Sequence, residues 1–223
     1  MNKFIVGAIV LVLIAVGGFV LYKPNTPIET STESLTATST VPPVGLYTVI
    51  ASESQINWSG QKPLIEGYVN SGTIGVSSGE IVIGDATASG SFTLDMNTLD
   101  VGLTPKKPSK EGTLEEHLKG EKFFNVAAYP TATFEITSVA PRDDSATSLT
   151  YDVQGTLTMK GITEAVAFPA KIFLADGKLR AEASLEMDRT KWGITAGSGN
   201  FFENLGDNLI DDMVALSFVI IAE

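Results

Sequence analysis

Few side chains in this chain can carry out bond chemistry. His117 is its one histidine and cysteine is absent, which excludes thiolate nucleophiles, disulfides, a lipidated cysteine and thiolate metal sites. No serine sits in a strand-to-helix nucleophile elbow, because Gly197-Ser198-Gly199 lacks the spacing of that turn. A lone histidine cannot make a four-ligand structural zinc site, and no glycine-rich phosphate loop runs into Lys-Ser or Lys-Thr. Asp143 and Asp144 lack the alternating acids and central glycine of a calcium loop. Carboxylates remain. Glu203, Asp207 and Asp211 recur every fourth residue and on a helix would share one face, where they would either do acid-base work on a lipid or glycan or simply be solvated. His117 also has two readings: a hydrogen bond to backbone near a helix end, or a contact with the polar head of a ligand. The residue types point away from an enzyme, a cofactor and a metal.

The other chemistry on offer is apolar. Phe92, Leu94, Phe134, Ile136, Leu157, Phe168, Leu185 and Phe218 occupy the apolar face of alternating segments, and Trp58 alternates with Ile56. Phe123, Phe124, Trp192 and the pair Phe201-Phe202 stand at bends, where aromatic rings can pack a branched chain without asking for polar partners. For Trp192 a plug at the end of a barrel, with Arg189 lying over the rim, fits equally. A small closed barrel is either filled by its own side chains or holds one small ligand. The first would make a solid-core module that meets protein partners through an acidic surface, the second a binder of greasy molecules.

The elements that must position these residues are mostly strands. Tyr47 and Val49, Ile56 and Trp58, Ile74 and Val76, Ile81 and Ile83, then Phe92, Leu94 and Met96 alternate between turn stretches SG, SSGE and GDATASG. Asp100 to Gly112 reads as a polar loop. Thr113 with Glu116 forms a capping-box pattern, Leu114 and Leu118 stack a turn apart, and Gly120 stands where a left-handed cap would end a two-turn helix. Pro130 then holds Tyr129 extended and releases a strand in which Ala132, Phe134 and Ile136 share a face. Beyond a hairpin at PRDDSATS, alternation resumes through Val153 to Leu174, turns at Asp176-Gly177, and ends with Val214, Leu216, Phe218 and Ile220. This pattern predicts an all-β fold, an antiparallel up-and-down barrel with one or two short helices, since closure removes exposed edges.

The chain has 223 residues, 43% of them hydrophobic, and a formal charge of −11. One substantial core is affordable, and binding to nucleic acid, which needs clustered cations, is excluded. Residues 4–22 are apolar without a charge or proline and as a helix would span about 28 Å. They predict a single transmembrane helix, with a cleaved signal peptide as the rival. The division expected is 1–23 anchor or signal, 24–44 a Ser/Thr/Pro-rich linker, and 45–223 the barrel. Lys3 ahead of the span, against Lys23, Glu29 and Glu33 after it, puts the domain outside the cytoplasm, on the cytoplasmic membrane or secreted if the segment is cut. The oligomeric state is left open, a homodimer included.

Several motifs in sequence order resemble the YceI family of lipocalin-like, polyisoprenoid-binding proteins of the bacterial envelope. They are SQINWSG, NSGTIGVSSGEI, GSFTLDMNTLDV, FFNVAAYPTATFEITSV, VQGTLTMKGITEAVAFPAKI and MDRTKWGI followed by GSGNFFENLGDNLIDDMVALSF. The resemblance covers nearly everything from about Gly45. Where the family often carries a histidine-bearing segment, this chain reads QKPLIEGYVN. The resemblance implies an antiparallel eight-stranded lipocalin-like β-barrel whose apolar cavity takes a long isoprenoid lipid, a polyprenyl phosphate or an isoprenoid quinone, for sequestration, transport or storage in the periplasm or outside the cell, without catalysis or cofactor. The lining or mouth expected is Trp58, Phe92, Leu94, His117, Phe123, Phe124, Phe134, Ile136, Leu157, Phe168, Leu185, Trp192 and Phe218.

Overall fold

Each strand of the domain pairs antiparallel with its neighbour in space, and the pairing runs round to where it began. The computed structural model describes residues 40–85, 87–142 and 149–223. Its strands are β1 (Gly45–Thr48), β2 (Gln55–Gln61), β3 (Val69–Ile83), β4 (Ala88–Leu103), β5 (Thr131–Pro141), β6 (Thr150–Met159), β7 (Ile162–Ala175), β8 (Lys178–Asp188) and β9 (Met213–Ala222), with one helix α1 (Glu111–Lys119) between β4 and β5. They run β1-β3-β2-β9-β8-β7-β6-β5-β4, and β4 returns to β3.

The strands fill eight positions because β1 and β2 lie in tandem along β3: β2 pairs with Val69–Gly75 and β1 with Glu80–Ile83. A 3-10 turn, Ala51–Glu53, joins them. An eight-stranded antiparallel barrel with one helix results, as the alternation and the family resemblance together imply. The Asp176-Gly177 turn has φ of 52° and 78°, the paired left-handed residues that a two-residue hairpin needs.

Other expectations are corrected. Ser77 to Glu80 is not a turn, since β3 runs unbroken through it with a register shift against β4 between Val76 and Ser78. A bulge inserts one residue and reverses which side chains face inward, so buried Ile74 and Val76 are followed by Ile81, of opposite parity. The same happens in β4, where Met96 is followed inward by Leu99 and Val101. β4 thereby extends to Leu103 into the supposed polar loop.

The helix starts at Glu111, not at Thr113, and Gly120 is extended at φ −71° and ψ 169° instead of left-handed. The Thr104 hydroxyl donates to the Glu111 carboxylate at 2.6 Å, which draws the helix start back toward β4; the left-handed residue falls later, at Asn125 with φ 48°. Glu203, Asp207 and Asp211 share no helical face: the only helical piece there is the 3-10 turn Gly206–Asn208. Asn204 and Gly206 both have positive φ, which a right-handed helix cannot contain.

The transmembrane helix expected ahead of the barrel is corrected too. Among the described residues no helix is long and apolar enough to cross a membrane, and residues 4–22, with the linker up to residue 39, lie outside them. The single-pass location built on that helix falls with it. The Asp143-Asp144 hairpin also lies outside the described residues. Within the stretch expected as linker, Thr40 bridges Leu174 through two backbone bonds of 3.2 and 2.8 Å.

Candidate functional site

The inward faces of the strands do not fill the barrel. At the end covered by α1 there is a cavity of about 130 Å³, here called the upper compartment. β2 contributes Ile56, Trp58 and Gly60, and β4 contributes Leu94, Met96 and Leu99. The roof comes from Leu118 on α1, from Phe123 and Phe124 just after it, and from Ile194 and Ile210 in the segment linking β8 to β9. The two phenylalanines are placed by backbone: Phe123 N–H donates to the Gly120 carbonyl and Phe124 N–H to that of Leu118.

Gly60 shapes this space. Register partners point to the same face, and Ile56, Trp58 and Gly60 pair with Ile74, Gly72 and Asn70. A β-carbon on Gly60 would meet no atom within 4 Å. Beside that vacancy Asn70 buries its Oδ1 with no hydrogen-bond partner, alone among the side chains of the described residues.

The polar side chains on the cavity wall are Trp58 and Arg189, and both are fully occupied. Trp58 Nε1 donates to the Asp100 carbonyl at 3.2 Å. Arg189 is 5% exposed and spends all its donors on protein: Nε on the Asp211 carbonyl, Nη1 on those of Ile194 and Ala196, Nη2 on that of Ile210 and on Asp212 Oδ1. Burial pushes its pKa below the ordinary value, and Asp212, Asp188 and Asp211 pull it back; an arginine stays charged regardless. Asp212 also accepts from Ser198 Oγ and Asn200 Nδ2, each at 2.8 Å. The cation thus gathers the segment that roofs the cavity.

Deeper in the barrel lie a middle compartment of about 60 Å³ and a lower one of about 50 Å³. Of the residues expected from sequence, Trp58, Phe123 and Phe124 line the upper compartment, Leu94 and Leu157 the upper and middle, and Leu185 the middle. Phe92, Phe134, Phe168 and Phe218 border middle and lower, and Ile136 the lower. His117 and Trp192 line none of them. His117 is exposed on the outer side of α1; Trp192 is 2% exposed and donates Nε1–H to the Leu157 carbonyl at 2.9 Å, a plug for the end of the core.

Sequence reasoning passed over Gly60, Asn70, Leu99, Ile194 and Ile210. Gly60 was two positions beyond Trp58 on the same face and could have been found by parity; Leu99 is hidden by the bulge, and the roof residues by an irregular loop. Of the three carboxylates that could do acid-base work, Asp211 is tied down, accepting from Gln61 Nε2 at 2.8 Å and from Met213 N–H at 3.0 Å, while Glu203 and Asp207 are exposed and none of the three lines the cavity. Among the described residues no group of three His, Cys, Asp or Glu is placed to hold a metal.

A closed antiparallel barrel with an apolar interior and a helix over one end defines the lipocalin-like class of barrels. Within it the chain belongs to the YceI-like domain family, whose profile matches residues 47–222. Its fold is similar to that of BcnA from Burkholderia cenocepacia, at 21% identity and TM-score 0.61 over 78% of this chain and 99% of that one. It is also similar to a polyisoprenoid binding domain from Saccharophagus degradans implicated in plant cell wall breakdown, at 17% identity and TM-score 0.57 over 79% and 97%. A UPF0312 protein of Yersinia pestis is 41% identical over 58 residues, 26% of this chain and 28% of that protein. One from Azotobacter vinelandii is 35% identical over 75 residues, 34% and 36% respectively. The match therefore spans about a third or less of these curated relatives.

Proposed function

We propose that this barrel binds an isoprenoid lipid, tail inward, and holds it without transforming it, for sequestration, transport or storage. The observation that carries the reading is the wall of the upper compartment: apolar side chains throughout, with its two polar ones, Trp58 and Arg189, already satisfied by protein carbonyls and Asp212. Such a wall rewards hydrocarbon and offers nothing to a sugar, peptide or nucleotide.

An engineered apolar cavity of about 150 Å³ takes up a benzene-sized guest, so the upper compartment suits roughly the first isoprene unit or two, with further units parting side chains toward the middle compartment. One unit buried contributes on the order of 3 kcal/mol, so a few exceed the roughly 8 kcal/mol of micromolar binding after ordering costs. The unpartnered Asn70 Oδ1, opposite Gly60 in the β2–β3 register, suits the polar end by accepting from a prenol hydroxyl. The polyisoprenoid binding of the Saccharophagus domain supports the same ligand class.

Delipidated protein titrated with a fluorescent prenol is expected to saturate near one lipid per barrel at micromolar concentration. Absence of saturable binding, together with no apolar passenger in native mass spectra of gently purified protein, would instead favour a solid-core barrel that serves protein contacts.

A further inference from the structure

The barrel interior is interrupted halfway by four phenylalanines. Phe92 on β4, Phe134 on β5, Phe168 on β7 and Phe218 on β9 form a closed circuit: ring centroids are 5.4 Å apart for Phe92–Phe134, 5.6 Å for Phe134–Phe168, 5.3 Å for Phe168–Phe218 and 6.4 Å for Phe218–Phe92. All four pairs are tilted or edge-on, the arrangements that ring quadrupoles favour.

Small residues on intervening strands make the circuit possible. Gly79 on β3 is the register partner of Phe92, and Ala183 on β8 that of Phe218. Gly155 on β6 lies between the strands of Phe134 and Phe168, and a β-carbon there would collide with the Phe134 ring. A β-carbon on Gly79 would come within 2.7 Å of Phe92 Cβ. Large residues on four strands thus lean over small ones on three others, which is how one layer of a narrow barrel is filled.

The middle and lower compartments share these four phenylalanines and no other lining residue. The circuit is therefore the partition between them. Below it the space is as apolar as above, lined by residues such as Ile136, Val139 and Leu179, so the two sides differ not in chemistry but in lying on opposite sides of the rings.

We propose that this phenylalanine circuit is the length-determining element of the site, at which the end of an isoprenoid tail stops, so that units beyond those accommodated above it gain no buried surface. The inference rests on the lipid-binding reading. Each further unit buried is worth on the order of a hundredfold in affinity, so the stop is readable as a break in a length series.

Delipidated full-chain protein is titrated with prenols from three isoprene units upward. Wild type is expected to bind more tightly with each added unit up to a break and then level off. In Phe168→Leu and Phe218→Leu, which keep an apolar side chain while opening the circuit, the break moves to longer chains, and the first prenol past the wild-type break gains at least about tenfold over the one at the break. In wild type the terminal methyls of the prenol at the break should show nuclear Overhauser contacts to the ring protons of the four phenylalanines, a readout that needs no variant. Affinity that climbs smoothly with length, a break that stays put in both variants, or methyl contacts to Val139 and Leu179 in wild type would each overturn the proposal while leaving lipid binding intact. Failure of every prenol to bind would overturn both.

Discussion

At the end of the barrel where β1, β2 and β9 meet, backbone does the closing. Thr48 and Glu223 exchange N–H···O bonds of 2.7 and 3.0 Å, and Ile50 N–H donates to the Ile221 carbonyl at 2.7 Å. The Ser54 hydroxyl donates to the Ile50 carbonyl at 2.9 Å and accepts from Ile221 N–H at 3.0 Å. Leu179, Ile220 and Ala222 are 1%, 2% and 0% exposed there, and the void left is about 50 Å³. At the α1 end a short helix and an irregular segment do the same task, held by one guanidinium reaching four carbonyls and Asp212. That end keeps about 130 Å³ open and leaves Asn70 without a partner. A ladder closes at fixed spacing and squeezes space out, whereas a loop gathered by a side chain can stand off from the sheet. The looser closure is where a ligand has room.

Removing the gathering cation should break this contrast most. Arg189→Met leaves Asp212 and the carbonyls buried without their donor and is expected to cost about 3–5 kcal/mol, read as a lower urea midpoint, with loss of prenol binding as the roof loosens. Ser54→Ala acts on the other closure. It removes a hydroxyl that serves two backbone groups and should cost about 1–3 kcal/mol in the same denaturation experiment, while prenol affinity stays at the wild-type value because the upper wall is untouched.

Gly60→Leu sharpens the comparison from the opposite direction. Filling the vacancy beside Asn70 should weaken prenol binding at least about tenfold while leaving stability within about 0.5 kcal/mol or raising it, since a β-carbon there meets no atom within 4 Å and the branch beyond it enters the apolar cavity. A loss of both stability and binding would show that the space is not free.

The smallest effect concerns the helix start. The Thr104 hydroxyl bond holds the Glu111 carboxyl below its ordinary pKa of 4.5, with backbone bonds adding to it. A carboxyl lowered on folding stabilises the protein above its unfolded pKa and loses that contribution as pH falls through the lower folded value. Thr104→Val should move the Glu111 titration back up, measured by carboxyl carbon NMR, and flatten the stability decline below pH 4.5. Prenol binding should not change.

Alternation made the strands from Ala132 to Ile136, from Ala181 to Met187 and from Val214 to Ile220 legible, because period-two patterning is local and one face of each had to be buried. The bulge in β3 was not, since Ser77 to Glu80 has the composition of a turn and only pairing with β4 holds it in a strand. Within the site, Trp58, Phe123 and Phe124 could be picked out as large aromatics, while Gly60 drew no attention because what it contributes is the absence of a side chain. Asp211 read as either an acid-base group or a solvated acid, and its long-range partner Gln61 becomes known only once the segment before β9 lies across the end of β2.

By itself the sequence determined the chemistry: a chain with one histidine and no cysteine, whose phenylalanines fall on the faces that antiparallel strands must bury. The tertiary structure alone decided that four of those phenylalanines meet in a circuit, that a buried arginine holds the roof, and that the interior is divided instead of continuous. The physical reason is distance along the chain. Alternation and turn chemistry act between residues a few positions apart, whereas Phe92 and Phe218, or Arg189 and the carbonyls it gathers, become neighbours only after closure of the barrel fixes register around its whole circumference.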